Sequence, residues 1–291
     1  MLLKKREICP CCFQKNFKIL YSISYKDEKM TSFLKNYYGK NIINYLNELN
    51  DYDYTLLECE NCKTIFQQYI PTDKFSFNLY EEIISLEKSF KKKQDLKLKN
   101  FDFFLNEIHA LQSLINKKNQ DIKILEFGGG WGYWSRFINS LNYQVFVNEL
   151  SETRKKFLKE NSLKIIEDLS STKETFDIIY SDQTFEHLNE PKEILDLLYK
   201  KLNRNGLIFL KFPNSSNFKK KLTKNYVPNK DATHPLEHIN LFNFKSFKKM
   251  TDDLNVSILN IDKYYRLDFF KYLRFLKNLS KFDKILLKKN D

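Results

Sequence analysis

The sequence predicts an α/β protein: a doubly wound, mostly parallel sheet preceded by a small cysteine-rich module. Two observations carry this. Four of the six glycines and both tryptophans fall within residues 124–134, ILEFGGGWGYW, where an apolar strand pattern runs into a helix pattern. All five cysteines lie before residue 63, as Cys9-Pro-Cys-Cys12 and Cys59-Glu-Asn-Cys62. At 291 residues the chain has room for one full core and a smaller module, since domains commonly run ~100 to 200 residues.

The cysteines come first in the chain. Two C-x2-C knuckles are able to set four thiolates tetrahedrally around one zinc ion, and in a reducing compartment metal is favoured over disulfide. The expected ligands are Cys9, Cys12, Cys59 and Cys62, with Cys11 as a competing neighbour. Four thiolates leave no open position, so the ion is structural. The residues after the knuckles are Phe13 and Lys63, where glycine is usual. Between the knuckles, 31–50 has a helical pattern and reads as an insertion. After them, 64–71 reads as a strand and 79–93 as a charged helix. Phe101, Phe104, Leu105, Ile108, Leu111, Leu114 and Ile115 then recur at helical spacing, a core-facing helix leading into the first sheet strand. The module is expected over 1–75 and connecting helices over 76–120. His109, on that helix, carries no assigned role.

The glycine turn is a nucleotide-cofactor signal, because glycine lets backbone approach a ligand in conformations closed to other residues. A dinucleotide fingerprint needs a third glycine where Tyr133 stands, and a Walker A loop needs Lys-Ser/Thr where Tyr133 and Trp134 stand. What remains is acidic-x-G-x-G-x-G, supplied by Glu126, Gly128, Gly130 and Gly132. A helix pattern follows over 136–141, and 143–150 reads as the next strand, carrying Glu149 near its end. An acidic side chain there is placed to accept hydrogen bonds from both ribose hydroxyls of a nucleoside.

These residues resemble motif I of the class I S-adenosylmethionine-dependent methyltransferases. The likeness continues through FDIIYSDQTFEHLNEP (176–191) and LNRNGLIFLKFPN (202–214), which follow the family's order of strand, Leu-Glu-His, Pro at a helix start, turn, strand and Pro-Asn, with Arg204 and Asn205 replacing part of the usual turn. The resemblance implies a Rossmann-like, seven-stranded sheet over 121–265 and S-adenosyl-L-methionine as cofactor. It implies cofactor contacts from Glu126, Gly128, Gly130, Gly132 and Glu149, from Asp168 beyond the third strand, and from Asp182 and Gln183 after the fourth. Asp168 reads equally well as a plain turn aspartate.

The zinc module followed by this sheet is similar to a narrower group, bacterial methyltransferases acting on nucleotide-linked sugars. In that group a Tyr-x-Glu-His segment after the fifth strand works with a histidine after the fourth as acid and base. The corresponding segment here is HPLEHINLF (234–242), giving Glu237 and His238, with His187 as the fourth-strand histidine and Pro235 in the tyrosine's place. The resemblance therefore implies His238 as base, Glu237 orienting it and His187 assisting, on a small hydroxylated acceptor of surface polysaccharide biosynthesis. Whether oxygen, nitrogen or carbon is methylated stays open. Some quinone O-methyltransferases bind a divalent metal through Glu-x-x-Glu-His; here Gln183 stands in place of the first carboxylate, so no metal is expected at that motif.

A formal charge of +12 invites a nucleic-acid or anionic-membrane partner, although the lysines are scattered through a chain rich in Lys, Asn, Ile and Phe. The alternative to a sugar enzyme is a zinc-ribbon RNA base methyltransferase; against it, the fourth strand ends Ser181-Asp-Gln-Thr184 without the Asn/Asp-Pro-Pro-aromatic loop used by many amino-group methylators. A third reading is a non-catalytic binding protein. Lys219, Lys220, Lys221, Lys224, Lys230 and Tyr226 sit where this fold inserts a substrate lid. Residues 266–291 pattern as a basic amphipathic helix that would suit an anionic membrane. Without a long apolar run or a signal-peptide pattern, a cytoplasmic location is expected.

Overall fold

A computed structural model describes residues 1–94, 96–223, 225–259 and 282–290. In chain order its strands are β1 (Leu3–Lys5), β2 (Phe17–Ser24), β3 (Asp53–Cys59), β4 (Ile65–Gln67), β5 (Tyr69–Pro71), β6 (Lys123–Phe127), β7 (Gln144–Asn148), β8 (Lys164–Ile165), β9 (Phe176–Asp182), β10 (Leu202–Pro213), β11 (Asn240–Leu241), β12 (Val256–Leu259) and β13 (Phe282–Lys289). They divide between two compact units. The first comprises Met1–Ser89, Glu186–Lys192 and Pro213–Met250; the second comprises Phe90–Phe185, Glu193–Phe212 and Thr251–Asp291.

The second unit holds a seven-stranded sheet in the order β12-β13-β10-β9-β6-β7-β8. The pairs β6–β7, β6–β9, β7–β8 and β9–β10 are parallel, and β12–β13 is antiparallel. This is the Rossmann-like, mostly parallel sheet that the sequence predicts. Its central strands read as continuous apolar runs because both faces are covered. Val145 and Val147, Ile178 and Tyr180, and Leu207 and Phe209 pack with Ile108 and Leu111 of the helix Leu98–Gln112. Each Val, Ile, Leu or Phe among them contributes ~1.5–3 kcal/mol on burial. The chain goes one way from β6 to β8 and then resumes on the other side of β6 with β9, so the switch point lies between β6 and β9. Ligands of such sheets bind at the carboxyl ends of the strands at that point.

The first unit is built on a four-stranded sheet, β11-β4-β3-β2, and the pair β1–β5. Its core gathers Met30, Leu34, Tyr54, Leu56, Phe75, Phe218 and Leu241. The predicted insertion forms a helix, Glu28–Tyr38, that stops at Gly39 (φ 74°) and continues as a 3-10 stretch, Gly39–Tyr45. Asp27 caps the helix by accepting from the Lys29 amide.

Two expectations are corrected. The cysteine-bearing unit does not end near residue 75: it recruits Glu186–Lys192 and Pro213–Met250 from inside the span expected for the sheet domain. The physical reason is strand addition, with Asn240 and Leu241 pairing with Phe66 and Ile65. The C-terminal amphipathic helix lies largely on residues outside the described ones, and the described part of it, Phe282–Lys289, is a strand. There Ile285, Leu286 and Leu287 are buried in a row against β12, a pattern that a buried strand and one face of a helix share over so short a run. Among the described residues no helix is long and apolar enough to cross a membrane.

Candidate active site

At the carboxyl end of β6 the chain turns through Gly128, Gly130 and Gly132, all at positive φ (75°, 57° and 64°). A β-carbon on Gly128 would meet the Thr184 side chain at 2.3 Å, and one on Gly129 would meet Val147 at 2.2 Å. Gly130 differs, because a β-carbon there meets nothing within 4 Å. Its backbone is thus bent for a reason other than packing, and it leaves room for an approaching group. Gly130→Ala should cost the fold only the left-handed strain of ~1–2 kcal/mol, while weakening S-adenosylhomocysteine binding at least tenfold; a melt and a calorimetric titration read the two effects separately.

Glu149, the residue directly after β7, aims its carboxylate back at this loop. Its Oε2 accepts the Gly130 amide at 2.6 Å, and its Oε1 accepts the amides of Leu150 and Ser151 at 3.0 and 2.9 Å. Three backbone donors and Arg154 Nη1 at 3.7 Å hold it oriented. Glu126 is buried and accepts the hydroxyl of Ser135 from the following helix, Tyr133–Asn139. At the end of β9, Gln183 sits at positive φ (55°), and its Nε2 is buried with no hydrogen-bond partner among the described residues. A buried amide donor in that condition is costly, and it fits a ligand group at this edge. Asp168 bonds the amide and hydroxyl of Ser170 at 2.8 and 2.7 Å. Those bonds hold its carboxyl down at about 2, and the geometry is that of a turn aspartate.

Asp182 belongs to a network that the sequence reading did not find. Lys211 of β10 is buried with its ammonium 2.9 Å from Asp182 Oδ2, 3.0 Å from Glu107 Oε1 and 2.7 Å from the Tyr180 hydroxyl. One cation faces two carboxylates. Burial pushes Lys211 down, but Asp182 and Glu107 outweigh it and hold the ammonium above its ordinary range. For Glu107 burial is the larger influence, and its carboxyl is raised despite Lys211. Trp134 stacks on the Tyr180 ring at 3.7 Å, fixing the phenol that Lys211 donates to.

In the first unit the structure brings together the residues predicted for acid–base work, with others. His187 and His238 have ring centres 4.8 Å apart, and His238 and His234 4.0 Å. His187 Nδ1 lies 2.9 Å from both the Glu237 carbonyl and the Tyr80 hydroxyl. A carbonyl oxygen only accepts, so Nδ1 carries the proton. His238 Nδ1 likewise donates to the Ala232 carbonyl at 3.3 Å. Burial, with the neighbouring His187 and His234, keeps His238 well below the imidazole range and therefore neutral. Burial works to raise Glu237, but His234, His187 and Tyr38 together hold its carboxyl below the usual range. The His234 Nε2 to Glu237 Oε1 distance is 3.5 Å. Arg6 fastens the two peptides that carry these residues: its guanidinium donates to Asn240 Oδ1 at 2.7 Å and to the Asn189 carbonyl at 2.7 Å. Tyr38 donates to the Pro235 carbonyl at 2.7 Å, and Gln67 to the carbonyls of His234 and His238.

The four predicted cysteines also converge. The sulfurs of Cys9, Cys12, Cys59 and Cys62 lie within 4.8 Å of one another, with Cys9–Cys62 and Cys12–Cys59 both at 3.5 Å. Tetrahedral zinc with Zn–S bonds of ~2.3 Å sets its sulfurs ~3.8 Å apart, so the cage fits that ion. The two knuckles share one backbone design. The amide of the first cysteine bonds five residues on, Cys9 to Gln14 and Cys59 to Thr64, and the amides of Phe13 and Lys63 return to the carbonyls of Cys9 and Cys59. Phe13 and Lys63 adopt φ of 57° and 61°, so the glycine-type conformation is kept without glycine. Cys11 is buried beside the cage, and its thiol, with that of Cys9, draws the Cys62 sulfur toward the thiolate. Burial pushes Cys59 up to about 11. Bare thiols in this arrangement share charge poorly, and a dication resolves the conflict.

Comparison with known proteins follows the same lines. The methyltransferase domain family matches residues 100–260, more than half of the chain. No curated protein matches the sequence at a significant level. Among solved structures, that of the plantazolicin methyltransferase BpumL in complex with SAH is similar at a TM-score of 0.53 and 16% identity, over 74% of this chain and 94% of its own. The plantazolicin methyltransferase BamL, in complex with a triazolic desmethylPZN analog and SAH, is similar at a TM-score of 0.53 and 12% identity, over the same 74% and 94%. At these identities the likeness speaks for the fold.

Proposed function

The chain belongs to the methyltransferase domain family, and from that premise we propose that it transfers the methyl group of S-adenosyl-L-methionine to a small hydroxylated acceptor, a sugar or nucleotide-linked sugar. The observation that carries the cofactor is the bend at Gly130, open above and fastened below to Glu149. Glu149 supplies acceptors for the ribose hydroxyls, Glu126 fixes the loop under the methionine moiety, and Gln183 offers its amide. Asp182 contributes through the carboxylate that Lys211 positions. Asp168 completes the set only by releasing its bonds to Ser170.

The acceptor reading rests on the histidine cluster. Both excursions of the chain into the first unit begin where β9 and β10 end, and they carry His187 and His238 respectively. His238, neutral and with its Nδ1 proton on Ala232, has its lone pair on Nε2. That nitrogen would take the acceptor's proton, becoming an imidazolium, while bound S-adenosylmethionine would supply the methyl group and leave as S-adenosylhomocysteine. Glu237 stabilises that imidazolium and His187 assists. General-base help of this kind is worth ~100-fold or more. Cys9, Cys12, Cys59 and Cys62 hold a structural zinc that fixes the base of the same unit.

Labelled methyl transfer from S-adenosylmethionine, with nucleotide-sugars and glycolipid extract in one arm and total RNA in another, tests this. Label in the sugar arm that drops at least 100-fold in His238→Ala supports the proposal. Label in RNA, with the steep salt dependence that phosphate contacts bring, would replace it with a nucleic-acid enzyme.

A further inference from the structure

We propose that Glu186, His187 and His238 form a second metal site, taking a divalent transition-metal cation through one carboxylate and two imidazoles. Each offers one ligand atom, and the three atoms lie within 4.8 Å of one another. Glu186 and His187 are adjacent on a 3-10 turn, Phe185–His187, and Glu186 is fully buried. His187 Nε2 already lies 3.9 Å from Glu186 Oε1. Bonds of ~2.0–2.1 Å to zinc set tetrahedral ligand atoms ~3.4 Å apart, a contraction that side-chain rotation supplies.

The orientation of the imidazoles is the stronger argument. Metal-bound histidines donate their other ring N–H to a carbonyl or carboxylate, which fixes the tautomer. Here both Nδ1–H groups are committed to backbone carbonyls, His187 to Glu237 at 2.9 Å and His238 to Ala232 at 3.3 Å, and the lone pairs are on Nε2. Tyr80 adds a second contact to His187 Nδ1 at 2.9 Å. Arg6 and Asn240 brace the 186–189 peptide, with Asn240 Nδ2 on the Leu188 carbonyl at 2.7 Å. Two nitrogens and one carboxylate oxygen suit Zn²⁺, Co²⁺, Mn²⁺ or Fe²⁺ better than Mg²⁺ or Ca²⁺. The motif thus recovers its missing carboxylate position with an imidazole from a distant segment, which the spacing around Gln183 conceals.

This inference rests on the reading of His238 as base and gives that site its regulation. The lone pair that binds the cation is the one that accepts the proton, so an occupied site and a free base exclude each other. Metal at this site silences transfer.

The test is metal content of the full chain after equilibration with zinc and dialysis. Two zinc ions per chain are expected, falling to one in Glu186→Gln and in His187→Ala/His238→Ala. Loading with Co²⁺ checks the fold of the variants, because the four-thiolate site keeps its intense sulfur-to-cobalt absorption while the nitrogen–oxygen site adds only weak bands. One zinc per wild-type chain, or two in every variant, overturns the proposal whatever the activity. An active one-zinc enzyme that the second equivalent inhibits supports it. An enzyme that binds two ions yet shows no transfer in the one-zinc form sinks the base reading and leaves the metal site standing.

Discussion

Stripping the metal from Cys9, Cys12, Cys59 and Cys62 should unfold much of the first unit while the seven-stranded sheet keeps its helical and strand signal. Structural zinc contributes ~10–16 kcal/mol of apparent binding energy in isolated zinc-finger peptides. The unit here also has an apolar core of Met30, Leu34, Tyr54, Leu56 and Phe75, so the loss is smaller than total collapse. Three of the cysteines are fully buried, and without a cation they face one another as competing thiols. Cys59 closes β3 and Cys62 leads into β4, so the fault lies between the paired strands of the sheet. Cys59→Ser/Cys62→Ser should reproduce the chelated state. Limited proteolysis read by mass spectrometry should show first cuts within residues 1–89, and methyl transfer should fall with them. A metal-free protein that resists cleavage and melts within a couple of degrees of the zinc form would exclude a structural zinc.

Lys211→Met should be the most damaging single substitution in the second unit, at ~3–5 kcal/mol, because it leaves the buried carboxylate of Glu107 without its cation, and removes the partner of the half-buried Asp182 as well. Glu107 has no exposure and Lys211 almost none, so water does not compensate. The double variant Lys211→Met/Glu107→Leu should recover most of that loss, since removing both members of a buried pair is often nearly neutral. The wild-type contribution also has a pH sign. The folded Lys211 is raised above its unfolded value, so its contribution is complete below the unfolded pKa near 10.5 and disappears as pH rises through the folded one. Denaturant melts of the three proteins at neutral pH measure the loss and its recovery, and melts of wild type at rising alkaline pH measure the sign. A single variant as stable as wild type would show that the ammonium does not hold the carboxylates.

The parts of the molecule legible in the sequence are those where one residue type has one physical use. Glycines at 128, 130 and 132 report a left-handed turn, and paired C-x2-C knuckles report a metal cage; both stand where expected. The order of strands follows from apolar runs in a family pattern. What was hidden depends on tertiary partners. Glu107 lies on the apolar face of its helix with Phe104, Ile108 and Leu111, and Lys211 interrupts the apolar run 207–212; each is a signal of a buried charge, readable only as half of a pair. The recruitment of Pro213–Met250 into the first unit turns on a two-residue strand, β11, too short for any periodicity. Phe13 and Lys63 mislead in the opposite direction, since the backbone takes the glycine conformation without the residue that advertises it.

Binding of S-adenosylhomocysteine by isothermal titration calorimetry, to wild type and to Glu149→Ala, tests the central claim most directly. One molecule bound per wild-type chain, and at least tenfold weaker binding in a Glu149→Ala protein that still folds, is the predicted result, because that carboxylate orients the Gly130 loop and, in the proposed site, would accept from the ribose. No binding to the zinc-loaded wild type, or equal binding by both proteins, would contradict it and leave the glycine turn without its cofactor.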